Sequence, residues 1–378
     1  MTRSDLEVVV DGTALTTEPS GARTRFLGLY GAVAARCGLR LTAVLRRGGA
    51  GLEEELDPRI GVKRIFRPPP PALRLFGPLH PAASAARRTR ADLFVAETLP
   101  LPPEPGRPTL LTLHDLRFLH ASLTPRHRRV FASRLLARNM RRAAAVVTVS
   151  QSIARELHAS GLAAGRPLYV VPNAPSPPAP PPVESSSRIL EELGIDRPFI
   201  VSLGRLERRK NLLALLDAYE TASQGSQTRA PRLVLAGSSG GPGGRAVRAR
   251  IARSTALRRG VVLTGRVSEG VKTLLLGRAL ASVWPSLYEG FGFGLLEAMI
   301  QGIPLACSDI PAHREVAGGS ALFFDPTDRA QATAVLDRLF CDDGLRDHLA
   351  RSGLERVKSF SWERSAELFE EACRSLVD

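Results

Sequence analysis

The sequence predicts an α/β protein made of two Rossmann-like, doubly wound domains. Three observations carry this expectation. The chain has 378 residues, enough for two domains of about 100–200 residues, each with its own core. Two series of short apolar runs alternate with longer amphipathic stretches, the pattern of parallel sheets covered by helices on both faces. A proline-rich stretch separates the two series.

Taken in order, the first series has candidate strands at Leu6–Val10, Leu41–Leu45, Leu93–Ala96, Thr109–Leu113, Ala145–Val149 and Tyr169–Val171, within residues 1–173. The run Pro68–Pro71 reads as a loop inside this domain. Residues 174–187 follow, rich in proline and ending in Ser185–Ser187. Proline lacks the N–H that helices and inner strands need, so this segment reads as a semi-rigid linker. The second series, within residues 188–360, has candidate strands at Phe199–Leu203, Leu233–Ala236, Val261–Thr264, Ala281–Trp284, Leu305–Cys307 and Ala321–Phe324. A final amphipathic helix is predicted over about 361–378, introduced by Phe360-Ser-Trp-Glu-Arg364.

Composition bounds the class. Hydrophobic residues make up 44% and charged residues 24%, as in ordinary soluble globular chains. No run of about 18 apolar residues suggests a spanning helix, and the first residues show no signal-peptide pattern. Cys37, Cys307, Cys341 and Cys373 are scattered, which argues against a zinc site or a disulfide framework and for reduced thiols in the cytoplasm. The formal net charge is +15, which would suit an anionic partner. However, only Lys63, Lys210, Lys272 and Lys358 among the 52 basic residues are lysine. This arginine bias fits a GC-rich genome as the main source of the charge.

In open α/β sheets, ligands bind beyond the carboxyl ends of the strands. Two such domains facing across a cleft would pool their strand-end loops, so the loops decide the chemistry. After Trp284 comes a loop with Gly290, Gly292 and Gly294, then a helical stretch from about Gly294 to Gln301. Glycine admits close backbone approach, and a helix N-terminus offers N–H groups to a phosphate. Glu289 precedes the helix and Glu297 lies about one turn inside it, so both carboxylates can reach one pocket. Leu203-Gly-Arg-Leu-Glu-Arg-Arg-Lys-Asn-Leu212 places Arg205 and Lys210 at another strand end, where cations suit a diphosphate. Arg208 and Arg209 read as solvated surface charges.

The series E-G-F-G-F-G-x-x-E resembles the E-x7-E motif of family 4 glycosyltransferases, which have the GT-B fold of two Rossmann-like domains and retain configuration at the anomeric carbon. Further segments carry the same resemblance: Leu203–Leu212; Thr112-Leu-His-Asp-Leu116; Val147-Thr-Val-Ser-Gln-Ser152; Val170-Val-Pro-Asn-Ala174, with Ala174 where the family has glycine; Pro19-Ser-Gly-Ala-Arg-Thr-Arg25; Leu263-Thr-Gly-Arg-Val-Ser268; and Ser361, Trp362 and Ala366. The resemblance implies catalytic roles for Glu289, Arg205, Lys210 and His114. Donor binding would fall to Gly21, Arg266, Val267, Phe291, Gly292, Phe293, Gly294, Leu295 and Glu297. Glu289 would contact the sugar and Glu297 the ribose. Arg23 and Asn173 would lie toward the acceptor, together with the loops around Gly21, Pro68–Pro71 and Glu97–Pro105. Ser150 reads as a helix cap. The last helix would cross back to the first domain.

The implied reaction is retaining transfer from a nucleoside diphosphate sugar, UDP- or GDP-linked, to a hydroxyl of a glycan, lipid-linked or small-molecule acceptor. No D-x-D motif is present, so no metal or other cofactor is expected. A glycosidase reading fails because Glu297 is assigned to the ribose. Two alternatives stand: a glycosyl phosphorylase of the same fold, or a basic protein without catalysis that binds nucleic acid or membrane. The segment from Pro125 to Arg142 is densely basic, and as a helix it would dock on an anionic membrane from the cytoplasmic side. No nucleic-acid signature accompanies it, so no nucleic-acid partner is expected.

Overall fold

The computed structural model describes residues 6–16, 20–36, 38–46, 52–65, 91–101, 106–183, 185–196, 198–225 and 230–377. Cys37, Pro68–Pro71, Pro19 and Pro102–Pro105 fall outside these ranges. The chain divides into two compact units, Met1–Ala174 with Phe360–Asp378, and Pro175–Ser359.

In the first unit the strands are β1 (Leu6–Asp11), β2 (Leu39–Arg46), β3 (Gly61–Ile65), β4 (Leu93–Ala96), β5 (Thr109–Leu113), β6 (Ala145–Thr148) and β7 (Leu168–Val170). They form one parallel sheet in the order β3-β2-β1-β4-β5-β6-β7. The middle strands are apolar runs buried along their whole length, for example Leu93–Ala96, as expected of a sheet covered on both faces. Helix α1 (Gly21–Ala35) buries Phe26, Leu29, Tyr30 and Val33, a stripe with helical spacing. Helices α2 (Arg126–Met140) and α3 (Gln151–Ala159) follow, and Ser150 caps α3 by accepting from the Ile153 N–H at 3.2 Å.

The chain's last helix, Trp362–Arg374, belongs to this first unit. Phe369 is buried edge-on against Tyr30 of α1, with centroids 5.5 Å apart. Trp362 packs so closely on Gly28 that a Cβ there would lie 2.3 Å from its indole. Arg374 Nη2 donates to the Gly38 carbonyl at 2.8 Å, and Ser365 Oγ to the Pro172 carbonyl at 2.8 Å.

The second unit has β8 (Phe199–Leu203), β9 (Arg232–Ala236), β10 (Val261–Gly265), β11 (Ala281–Trp284), β12 (Leu305–Ser308) and β13 (Ala321–Phe324). Their order is β10-β9-β8-β11-β12-β13, all parallel. The helices are α4 (Ser186–Glu192), α5 (Leu212–Gly225), α6 (Gly241–Ala252), α7 (Thr255–Gly260), α8 (Glu269–Arg278), α9 (Phe293–Met299), α10 (Pro311–Ala317), α11 (Arg329–Cys341) and α12 (Asp343–Val357).

Apart from shifts of a few residues at element ends, three features differ from the sequence expectation. The edge strand β3 was not predicted, because its residues are exposed or half-buried and include Lys63 and Arg64. Helix α1 begins at Gly21, capped by Ser20, so Gly21 to Arg25 form its first turn and not a loop before it. The proline-rich segment from Pro175 onward counts with the second unit, where a Cβ on Gly270 would lie 2.8 Å from the Pro180 carbonyl.

Candidate functional site

In a doubly wound sheet the chain winds in opposite directions from two neighbouring central strands, and their carboxyl ends frame a crevice. In the second unit those strands are β8 and β11. The loop after β8 carries Arg205, a 3-10 turn at Arg208–Lys210, and Asn211 in the left-handed region (φ 53°). The loop after β11 carries Ser286 to Gly292, and Gly292 (φ 119°) turns the chain into α9. Gly294 lies against the Trp284 ring, where a Cβ would approach to 2.0 Å.

The topology brings Glu289 and Lys210 together. Lys210 Nζ donates to Glu289 Oε1 at 2.8 Å, and Ser286 Oγ donates to the same oxygen at 2.8 Å. Lys210 Nζ also stands 5.6 Å from the Trp284 ring centroid. The second carboxylate oxygen accepts from Arg209 Nη1, which also donates to the Tyr288 carbonyl at 3.0 Å. Arg209 is therefore part of the cluster, which corrects its reading as a surface charge. A buried carboxylate that must pair with two cations draws Arg209 inward, and Glu207 accepts from its Nε and Nη2 at 3.1 and 2.8 Å.

Burial by itself would push the Glu289 carboxyl up, but the charges of Lys210, Arg209 and His313 outweigh it and hold it well below the usual carboxylate range. Neighbouring His313 is buried and bonds through Nδ1 to the Ser308 carbonyl at 3.0 Å. Burial pushes its imidazole down to about 4, against the pull of Glu289, so it is neutral at pH 7. Arg205 is exposed and makes no side-chain ion pair among the described residues.

Glu297 lies on α9 and accepts from Lys272 Nζ at 2.8 Å. Lys272 also pairs with Glu269 at 2.5 Å. Burial would lower the Lys272 ammonium, but Glu297 and Glu269 prevail and raise it. Arg266 is exposed and Val267 half-buried after Gly265 (φ 69°). Phe293 and Gly294 are half-buried. Phe291 is buried edge-on to Phe293, with centroids 5.7 Å apart. The Leu295 side chain is buried and its N–H donates to the Gly292 carbonyl at 3.0 Å.

In the first unit the two central strands are β1 and β4. Glu97 directly follows β4 and is buried. Its Oε1 accepts from Thr112 Oγ1 at 3.0 Å and from the Tyr30 hydroxyl. Its Oε2 lies 3.0 Å from His114 Nε2. Arg25 is fully buried and donates through Nη1 to Asn173 Oδ1 and to the Val171 carbonyl, each at 2.8 Å. Asn173, expected toward the acceptor, is 2% exposed. Its side chain orients Arg25 by accepting from Nη1, since buried N–H groups favour acceptor partners. Arg23 reaches Glu55. Sequence alone does not single out Arg25, Tyr30, Arg209, Lys272 and His313, and it gives Glu97 only as the start of a loop toward the acceptor. A charged residue directly after a wholly apolar inner strand, as at Glu97, was the available signal.

With this geometry in place, comparison with known proteins is specific. Residues 186–356 match the family described as Glycosyl transferases group 1, and residues 19–175 match Glycosyltransferase Family 4. O-antigen chain mannosyltransferase B of Escherichia coli is 34% identical over 166 residues, 44% of this chain and 42% of that protein. Alpha-maltose-1-phosphate synthase of Mycobacterium tuberculosis is 28% identical over 202 residues, 49% of this chain and 51% of that protein. The matches thus span about half or less of these relatives. Among solved structures, sucrose-phosphate synthase from Thermosynechococcus elongatus superposes with a TM-score of 0.78 at 19% identity, covering 98% of this chain and 99% of that one. Anabaena HepE, in complex with UDP and glucose, gives 0.73 at 19% identity, covering 98% and 100%. The fold is GT-B, and the chain belongs to the family 4 glycosyltransferases.

Proposed function

We propose that this protein is a hexosyltransferase that moves a sugar from a nucleoside diphosphate donor, UDP- or GDP-linked, to a hydroxyl of a glycan, lipid-linked or small-molecule acceptor. The transfer retains anomeric configuration and needs no metal. The observation that carries the reading is the Lys210–Glu289 pair at 2.8 Å, set where β8 and β11 end.

An ammonium has three donors, and Glu289 takes one of them. The other two can meet diphosphate oxygens, joined by the exposed guanidinium of Arg205. Charge grows on the diphosphate as the glycosidic bond breaks, and cations fixed in advance lower the barrier. Glu289 keeps these cations in place and offers its last acceptor position to a sugar hydroxyl. Glu297 would exchange Lys272 for, or share it with, the ribose hydroxyls. The departing diphosphate would take the acceptor proton on the same face that the sugar leaves.

Thermal melting with UDP, GDP, ADP and dTDP tests the reading, since a ligand that binds only the folded state raises Tm. At least one diphosphate should raise it, and the matching sugar donor should turn over equally in the presence of EDTA. No shift with any of the four would overturn the donor assignment. Release of sugar 1-phosphate from a disaccharide and inorganic phosphate would instead identify a phosphorylase.

One surface favours a peripheral membrane location. Helix α2 exposes Phe131 (60%) and Val130 (43%) among exposed Arg126, Arg128, Arg134 and Arg138, and it carries no acidic residue. Such a face suits an anionic lipid surface, here the inner face of the cell membrane. No described helix is long and apolar enough to cross a membrane. The protein should co-sediment with phosphatidylglycerol vesicles at low salt and be released as salt screens the arginines. Phe131→Asp should weaken the binding. Absence of low-salt binding removes this part of the reading.

A further inference from the structure

We propose that Glu97 is the positioning residue for His114, holding its imidazole in the tautomer that leaves Nδ1 open to accept a hydrogen bond from a sugar hydroxyl. The inference rests on the glycosyltransferase reading above for its substrate, and on local geometry for everything else.

His114 directly follows β5, and Glu97 directly follows the neighbouring strand β4. Two acceptors of the same residue converge on one ring nitrogen. His114 Nε2 lies 3.0 Å from Glu97 Oε2 and 3.1 Å from the Glu97 carbonyl oxygen. Neither oxygen of an ionised, partnered Glu97 can donate, so Nε2 carries the hydrogen. In a neutral imidazole the other nitrogen is then an acceptor. Nδ1 has no hydrogen-bond partner among the described residues. The side chain is 29% exposed, against 6% for Glu97, so a ligand can reach the histidine and not the glutamate.

Glu97 is itself held from several sides. Thr112 Oγ1 and the Tyr30 hydroxyl both donate to Oε1, which fixes the carboxylate plane and aims Oε2 at His114. The buried guanidinium of Arg25 lies close enough to act on its charge. Burial would raise the carboxyl, but His114, Arg25 and Tyr30 together keep it down at about 2, so the acceptor role persists at neutral pH. A carboxylate held against α1, β4 and β5 at once orients the one partly exposed group it touches, His114. The expected ligand group is a hydroxyl acting as donor, as on a hexose. A carboxylate, or the ionised diphosphate of a sugar donor, has no hydrogen to give Nδ1 at neutral pH.

Long-range 1H–15N correlation spectra of histidine-labelled protein at about pH 8.5, where a free imidazole is neutral, test this without substrate. His114→Asn assigns the signal among the seven histidines. The wild type should show His114 protonated at Nε2. In Glu97→Gln the amide oxygen stays with Tyr30 and Thr112, so the amide NH2 faces Nε2 and opposes the backbone carbonyl that remains there, which shifts the tautomer balance toward Nδ1–H. The matching kinetics should show kcat/KM for the donor falling about 10- to 100-fold, the loss typical when the partner that orients a metal-binding histidine is removed. Nucleoside diphosphate affinity should stay unchanged. Nδ1–H in the wild type, or unchanged kcat/KM in a folded Glu97→Gln, overturns the assignment. If Glu97→Gln does not fold, Thr112→Val frees part of the carboxylate, and the wild-type tautomer alone still decides. If no donor turns over, the functional reading fails, while the spectra still decide what Glu97 does to His114.

Discussion

Lys210→Ala should lower turnover about 10²- to 10³-fold, the loss seen when one fixed donor to a developing charge is removed. The effect should fall mainly on kcat, because the leaving diphosphate gains charge between ground state and transition state. Glu289→Gln should cost a similar amount by another route. The amide keeps the volume, but its NH2 must then face Lys210 or Arg209, both of which can only donate. The two changes damage one unit, so Lys210→Ala with Glu289→Gln should cost well under the product of the single losses. Arg205→Ala should cost about tenfold or more, less than Lys210→Ala, because its exposed guanidinium is shared with water. Steady-state kinetics with the donor found by the melting screen, on variants whose melting is checked, measure all four. Near wild-type kcat in folded Lys210→Ala, or simple multiplication in the double variant, would remove Lys210 and Glu289 from a common role.

The legible parts of this molecule were those that repeat a pattern locally. Inner strands such as Leu93–Ala96 and Leu305–Ser308 are buried over every residue, so an apolar run is their direct imprint. The edge strand Gly61–Ile65 has water near most of its side chains, and no periodicity marks it. Glu289 and Lys210 were legible because each sits in a long segment with a family resemblance. Arg209 was not. In a 3-10 turn successive side chains point roughly 120° apart, and the charge run Arg208-Arg209-Lys210 does not say which of its members turn inward. Tertiary structure decides, through Glu289 and the Tyr288 carbonyl. The Glu97 cluster was hidden for a different reason. Its partners Tyr30 and Arg25 come from α1, and Thr112 and His114 from the end of β5, both far from Glu97 in sequence, and only the tertiary fold brings them together.

Gly237→Ala should be among the most damaging single-methyl changes in the second unit, lowering its stability by about 2–6 kcal/mol. Gly237 and Gly204 directly follow the adjacent strands β9 and β8. A Cβ on Gly237 would lie 2.0 Å from the Gly204 carbonyl oxygen and 2.5 Å from its carbon. These are backbone atoms, so no rotamer change relieves the collision. Gly204 is also tied to the Ala236 carbonyl at 2.9 Å, and Gly237 to the Gly265 carbonyl at 2.7 Å. Overpacking costs about 1–3 kcal/mol, and the left-hand backbone at φ 153° adds about 1–3 kcal/mol for a residue with a side chain. Gly265→Ala separates the two contributions. Its φ is 69°, yet nothing lies within 4 Å of the added carbon, so it should lose only the conformational part. Urea unfolding of the two variants beside the wild type gives the difference directly. The collision also bears on function. A displaced Gly204 moves the start of the loop that holds Arg205 and Lys210, and the Lys210 chain already passes 3.4 Å from where a Gly204 Cβ would stand. Folded Gly237→Ala should therefore lose turnover beyond what its unfolded fraction explains. Equal stability losses in Gly237→Ala and Gly265→Ala would show that the strand ends yield to the methyl group, and that the close approach of β8 and β9 is not what fixes the two cations.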